Sequence, residues 1–170
     1  MPPKFILIGP PGSGKSSTGR SLARALQLSF ADTDSLIEKD QGKPVSQIFV
    51  ENGERYFRSV EERICLGALL HEDGILSLGG GAVMSETVCS EMKKTAGEIV
   101  FLDVALSVAA PRIGFNRDRP LLLGNPRQQW QKLLEARRPL YEELATLRIE
   151  TLDHSVAQVV EEIISSVGAK

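Results

Sequence analysis

The chain has 170 residues, 42% hydrophobic and 25% charged, with a formal net charge of −2. That length predicts one domain over 1–170 with a sizeable core, and the balanced composition excludes a disordered or fibrous chain. No apolar run reaches membrane-span length and no signal peptide is expected ahead of the first strand, so the expectation is a cytoplasmic protein without a membrane partner.

The first element is the apolar, β-prone run Lys4-Phe5-Ile6-Leu7-Ile8. GPPGSGKS follows at Gly9–Ser16, a full match to the phosphate-loop pattern G-x-x-x-x-G-K-[ST]. Helical spacing then extends from Ser17 to Leu26, which completes the strand–loop–helix context that gives this motif its meaning. The glycines let the backbone curl so that successive N–H groups converge on phosphate oxygens, helped by the positive end of the helix. A nucleoside triphosphate is expected against Gly12, Ser13, Gly14, Lys15, Ser16 and Ser17. Lys15 would reach the β- and γ-phosphates, and the Ser16 hydroxyl would ligate Mg²⁺.

A second apolar run around Ser29–Ala31 leads to Asp32-Thr33-Asp34. In an α/β sheet ligands gather at the carboxyl ends of strands. In extended conformation both carboxylates project from the same side. One of the two would act as helix cap, unless the capping box Ser35-Leu36-Ile37-Glu38 takes that task and leaves Asp34 outside the helix. A carboxylate here suits a substrate hydroxyl, and its neighbour suits magnesium through water. The pattern Phe57, Val60, Ile64, Gly67 predicts a helix carrying Arg58. Arg58 reads equally well as a ligand-binding residue or as a solvated arginine paired with Glu54 and Glu62.

The apolar run Ile75–Leu78 predicts a third strand, followed by Gly79-Gly80-Gly81. Three glycines at a strand end imply a sharp bend or close approach to a ligand. Another strand is expected over Ile99–Leu102. Residues 112–126, RIGFNRDRPLLLGNP, break the strand–helix rhythm and predict a long functional loop. From Arg112 to Arg138 there are seven basic residues against two acidic ones, which suggests a local anionic ligand. Trp130 is the one aromatic residue of stacking size at the centre of that segment, and no interleaved aromatic pattern is present, so small anions are favoured over nucleic acid. Asn125-Pro126 predicts a helix start, with the helix running towards Leu144. Pro139 inside it predicts a kink or break that aims Arg137 inward, against the plain reading of a surface arginine. Leu147–Ile149 predicts a last strand, and Val156, Val159, Val160, Ile163 and Ile164 one face of a last helix. Strands alternating with helices give the α/β class, with a parallel sheet covered on both faces. Cys65 and Cys89 are expected as reduced thiols, and the isolated His71 and His154 argue against a structural zinc site.

Taken together the chain resembles shikimate kinase along nearly its whole length. The pieces that carry the resemblance occur in order: GPPGSGKS, DTD at Asp32–Asp34, NGERYFR ending at Arg58, SLGGG at Ser77–Gly81, RDRPLL at Arg117–Leu122 and ARRPLY at Ala136–Tyr141. The resemblance implies a three-layer α/β/α P-loop fold with a five-stranded parallel sheet. It implies transfer of the γ-phosphoryl of ATP to the 3-hydroxyl of shikimate, on the route to aromatic amino acids. Asp34 would then be the candidate base on the reacting diol, with Asp32 and Ser16 serving Mg²⁺. Arg58 and Arg137 would grip the substrate carboxylate, with Gly79, Gly80 and Gly81 against the ring. Lys15 and Arg119 would neutralise the phosphates, Arg119 from a lid loop over about 112–124, and Arg112 would lie on adenine. The segment Thr151-Leu152-Asp153-His154-Ser155 departs from the family by lacking a proline, and adenine contact there would fall to Asp153 or His154. A monomer is expected. Adenylate kinase, gluconate kinase and a catalytically dead P-loop binding module are the competing readings.

Overall fold

The computed structural model describes residues 2–104 and 126–168. Its five strands are β1 (Phe5–Ile8), β2 (Phe30–Asp32), β3 (Ile75–Ser77), β4 (Glu98–Asp103) and β5 (Leu147–Glu150). They form one parallel sheet in the order β2-β3-β1-β4-β5. The helices are α1 (Lys15–Leu26), α2 (Thr33–Gln41), α3 (Val45–Asn52), α4 (Glu54–His71), α5 (Glu86–Lys93), α6 (Pro126–Leu144) and α7 (Val156–Gly168).

A parallel sheet needs cover on both faces, because its crossover helices pack there. Alternating side chains supply two apolar surfaces. Ile6, Ile8, Leu76, Ile99 and Phe101 pack against α4, α5 and α6. Phe5, Leu7, Ile75, Val100 and Leu102 pack against α1 and α7. This double burial is why β1 and β4 read as unbroken apolar runs. The result is the three-layer α/β/α architecture with β1 at its centre. The chain crosses from β3 on one side of β1 to β4 on the other, so the loop after β1 sits at the switch point where such folds bind ligands.

Several boundaries differ from the sequence reading. β2 ends at Asp32, and Leu78 lies beyond β3. Helix α6 starts at Pro126 and runs through Pro139 to Leu144 without a break. On α4 the deepest face holds Phe57, Val60, Glu61, Cys65, Ala68 and Leu69, whereas Ile64 and Gly67 are only half-buried. On α7, Val159, Val160 and Ile163 are buried while Val156 and Ile164 stand at the exposed margin. Both cysteines are free thiols, Cys65 buried and Cys89 half-buried.

Candidate active site

The loop after β1 turns on Gly12 and Gly14, whose φ of 81° and 85° lie in the left-handed region that favours glycine. Gly14 is also the N-cap of α1 and contributes no side-chain cap. The helix therefore starts with backbone N–H groups and the positive dipole end at the loop, an anion site by construction. Lys15 is buried, and its Nζ donates to the carbonyls of Gly9 (2.8 Å) and Pro10 (3.0 Å). Gly12, Ser13, Gly14, Lys15, Ser16 and Ser17 line a cleft of about 380 Å³ that also takes in Asp32, Asp34, Thr151 and His154.

The two aspartates share this cleft by a different arrangement from the one expected. Asp32, not Ser35, is the N-cap of α2: its Oδ1 accepts from Asp34 N at 2.9 Å and Ser35 N at 3.4 Å. Its Oδ2 accepts from Ser16 Oγ at 2.5 Å. Asp34 lies inside the first turn of α2, where the helix N-terminus favours its negative charge. The sequence Ser35–Glu38 satisfies the capping-box pattern, but Glu38 instead accepts from Val45 N at 2.9 Å and ties α2 to α3. The cap moved because β2 ends at Asp32, which leaves that residue in the extended conformation an N-cap needs.

The triple glycine makes the close approaches its sequence implied, though to side chains. A Cβ on Gly79 would lie 2.8 Å from Asp34 Oδ1 and 3.1 Å from Glu61 Oε2. One on Gly81 would meet the Arg58 guanidinium, 2.7 Å from its Cζ, and one on Gly80 would lie 3.3 Å from Arg137 Nη1. The Gly79 N–H is occupied by the buried Thr33 Oγ1 at 2.9 Å, so it does not serve as a donor to a bound ring. Arg58 and Arg137 line a second cavity of about 440 Å³, with Gly81, Glu61 and Leu133.

Arg137 is buried, as the inward reading of the Arg-Arg-Pro segment required, although α6 is continuous through Pro139. Burial pulls its guanidinium below the ordinary arginine value, with Tyr141 offsetting part of the effect; an arginine nonetheless stays charged. Tyr141 OH donates to Gly80 O at 2.6 Å, and Trp130 Nε1 donates to Pro11 O at 2.8 Å. One helix thus touches the triple glycine and the phosphate loop.

Sequence reasoning missed three contributors: Glu61, Thr33 and Trp130. Glu61 Oε1 accepts from Arg58 Nη1 at 2.7 Å, and burial pushes its carboxyl up while Arg58 pulls it down. Its signal was the three-residue spacing from Arg58. Thr33 gave none beyond its place between two aspartates. His154 is exposed at the cleft, its Nδ1 2.9 Å from Glu150 O. Arg112 and Arg119, with the 112–124 loop, lie outside the described residues.

Comparison with known proteins places this geometry. The family model for shikimate kinase matches residues 11–168. The chain belongs to the shikimate kinase family. It is 45% identical over 171 residues to the shikimate kinase of Mycobacterium avium, covering 99% of this chain and 96% of that one. Identity to the shikimate kinase of Rhodococcus erythropolis is 43% over 171 residues, with both chains fully covered. Among solved structures, shikimate kinase from Acinetobacter baumannii in complex with shikimate matches with a TM-score of 0.93 at 32% identity, over 99% of this chain and 94% of that chain. Membership in the shikimate kinase family makes the chain an ATP-dependent small-molecule kinase.

Proposed function

We propose that the chain transfers the γ-phosphoryl group of ATP to the 3-hydroxyl of shikimate, giving shikimate 3-phosphate and ADP. One observation carries the choice of acceptor. The guanidinium groups of Arg58 and Arg137 converge on neighbouring glycines, Gly81 and Gly80, while Asp34 meets the same glycine run at Gly79 beside the phosphate loop. A carboxylate held by two arginine forks at one end and a hydroxyl at Asp34 at the other describes a small hydroxylated acid.

The roles divide accordingly. Arg58 and Arg137 bind the carboxylate, and Gly79, Gly80 and Gly81, bare of side chains, let Asp34, Arg137 and Arg58 come close around the ring. Asp34 hydrogen-bonds the reacting hydroxyl and takes its proton as oxygen bonds to phosphorus and ADP leaves. Lys15 and the loop N–H groups of Gly12–Ser17 hold the phosphates and neutralise charge in the transition state. Arg119 is assigned to the same phosphates, and Arg112 and His154 to adenine.

The donor set at Ser16 and Asp32 fits Mg²⁺. It offers two hard oxygens at the mouth of the loop, and Mg²⁺ takes few protein ligands while keeping phosphate oxygens and waters. Among the described residues no group of three or more His, Cys, Asp or Glu side chains offers a self-sufficient metal cage. Bound there, Mg²⁺ would supply positive charge that neutralises the transferring phosphates. A monomer in the cytoplasm completes the reading; no helix among the described residues is long and apolar enough to cross a membrane.

Phosphorus NMR of the product tests the regiochemistry. Coupling of the new phosphorus to the proton on carbon 3 is the expected result; phosphate on another hydroxyl contradicts the placement of Asp34.

A further inference from the structure

Arg137 has a neighbour with a separate task. Arg138 turns about 100° further round α6 and meets Asp103 at the end of β4. The contact is a fork: Arg138 Nη2 donates to Asp103 Oδ1 at 2.9 Å and Nη1 to Oδ2 at 3.0 Å. The guanidinium also lies 5.7 Å from the Phe101 ring centroid. Arg148 on β5 donates to Asp103 Oδ2 from Nε at 2.9 Å and from Nη2 at 2.6 Å. Burial raises the Asp103 carboxyl, but hydrogen bonds from Arg138 and Arg148 outweigh it and hold the group below its usual range.

The position of this fork in the helix is what matters. Pro139 follows Arg138 directly and has no N–H to give to the carbonyl of Glu135, so α6 lacks the backbone bond that would span Arg137. A planar two-bond fork fixes orientation as well as distance, which a single contact does not. Asp103, being set in the central sheet, is a rigid anchor. We propose that Asp103 is a positioning residue for the acceptor: through Arg138 it sets the rotation of α6 that aims Arg137 at the substrate carboxylate. The inference rests on Arg137 binding that carboxylate.

Arg148 provides the internal control. It too makes two bonds to Asp103, but it lies on β5 and is half-exposed. Steady-state constants for both substrates and the Tm are to be measured in Arg138→Ala, Arg148→Ala and Arg137→Ala. Arg138→Ala should raise the shikimate KM about tenfold, the factor that ~1.4 kcal/mol of binding energy represents, and leave the ATP KM within about twofold, below ~0.4 kcal/mol on the same scale. Arg148→Ala should leave the shikimate KM unchanged, whatever it does to the Tm. Arg138→Lys, which keeps the charge and stem but not the fork, serves if the alanine variant does not fold, and should raise the shikimate KM in the same direction. An unchanged shikimate KM in the Arg138 variant, or an equal rise in Arg148→Ala, overturns the positioning role. Arg137→Ala separates the two ideas: no rise there removes the carboxylate reading itself, while a rise there with none in Arg138→Ala removes only the inference about Asp103.

Discussion

Arg58 Nη1 lies 2.7 Å from Glu61 Oε1, on a carboxylate that is only 3% exposed. Glu61 therefore restrains the arginine that faces Gly81, at the cost of burying a second acid close to Asp34 across Gly79. Removing one partner of a buried pair leaves the other uncompensated. The geometry makes Glu61 a support for the acceptor site, with a signature in pH.

Burial is the first cause of the raised Glu61 carboxyl, and Arg58 only partly offsets it. The folded protein thus binds this proton more tightly than the unfolded chain. The resulting stabilisation is fully present below the ordinary glutamate value of 4.5 and is lost as pH rises through the higher folded value. Glu61→Gln should remove that fall from the acid limb of a Tm-against-pH curve. An unchanged curve would show that Glu61 titrates normally.

Gly81→Ala puts a methyl group onto the Arg58 guanidinium, and its backbone φ of −93° accepts alanine without strain. The expected effect is a shikimate KM raised about tenfold, as loss of ~1.4 kcal/mol of binding would give, with the ATP KM and Tm nearly unchanged. Equal rises in both KM values would contradict the separation of acceptor and donor sites.

Asp34→Asn keeps the shape of the side chain but removes the carboxylate proposed to take the hydroxyl proton. Turnover should fall about 100-fold, at the lower end of general acid–base contributions, with the fold intact by circular dichroism. Wild-type turnover would take Asp34 out of the mechanism. Lys15→Met should abolish detectable turnover by removing the charge proposed to neutralise the phosphates, and retained activity would contradict that assignment.

Trp130→Phe keeps a buried ring but deprives the Pro11 carbonyl of its 2.8 Å donor. A stability loss of about 1–2 kcal/mol is expected from the lost hydrogen bond, measured by urea denaturation followed by circular dichroism. Wild-type stability would show that the bond contributes nothing net.

These residues also show how far sequence carried. The phosphate loop was readable because every part of it is contiguous, and its chemistry depends on local backbone geometry. The α/β class followed from element order, and the helix from Pro126 to Leu144 from its proline start. Asp32 and Asp34 were found, but their division of labour was not, since two capping patterns overlapped and the end of β2 decided between them. Glu61 was missed because an acid in a charged helix reads as solvent-facing; its Oε2 lies against Gly79, in a strand-end loop far along the chain. Trp130 packs against a carbonyl 119 residues away, a contact no local pattern encodes. The triple glycine was read as a sharp bend or close approach to a ligand, whereas the atoms that crowd Gly79 and Gly81 belong to the protein's own Asp34 and Arg58.

The most direct measurement is ADP release from ATP with shikimate, AMP and gluconate offered in parallel. Release with shikimate alone is the result expected from two arginine forks opposite Asp34. Turnover with AMP or gluconate, and none with shikimate, would contradict it.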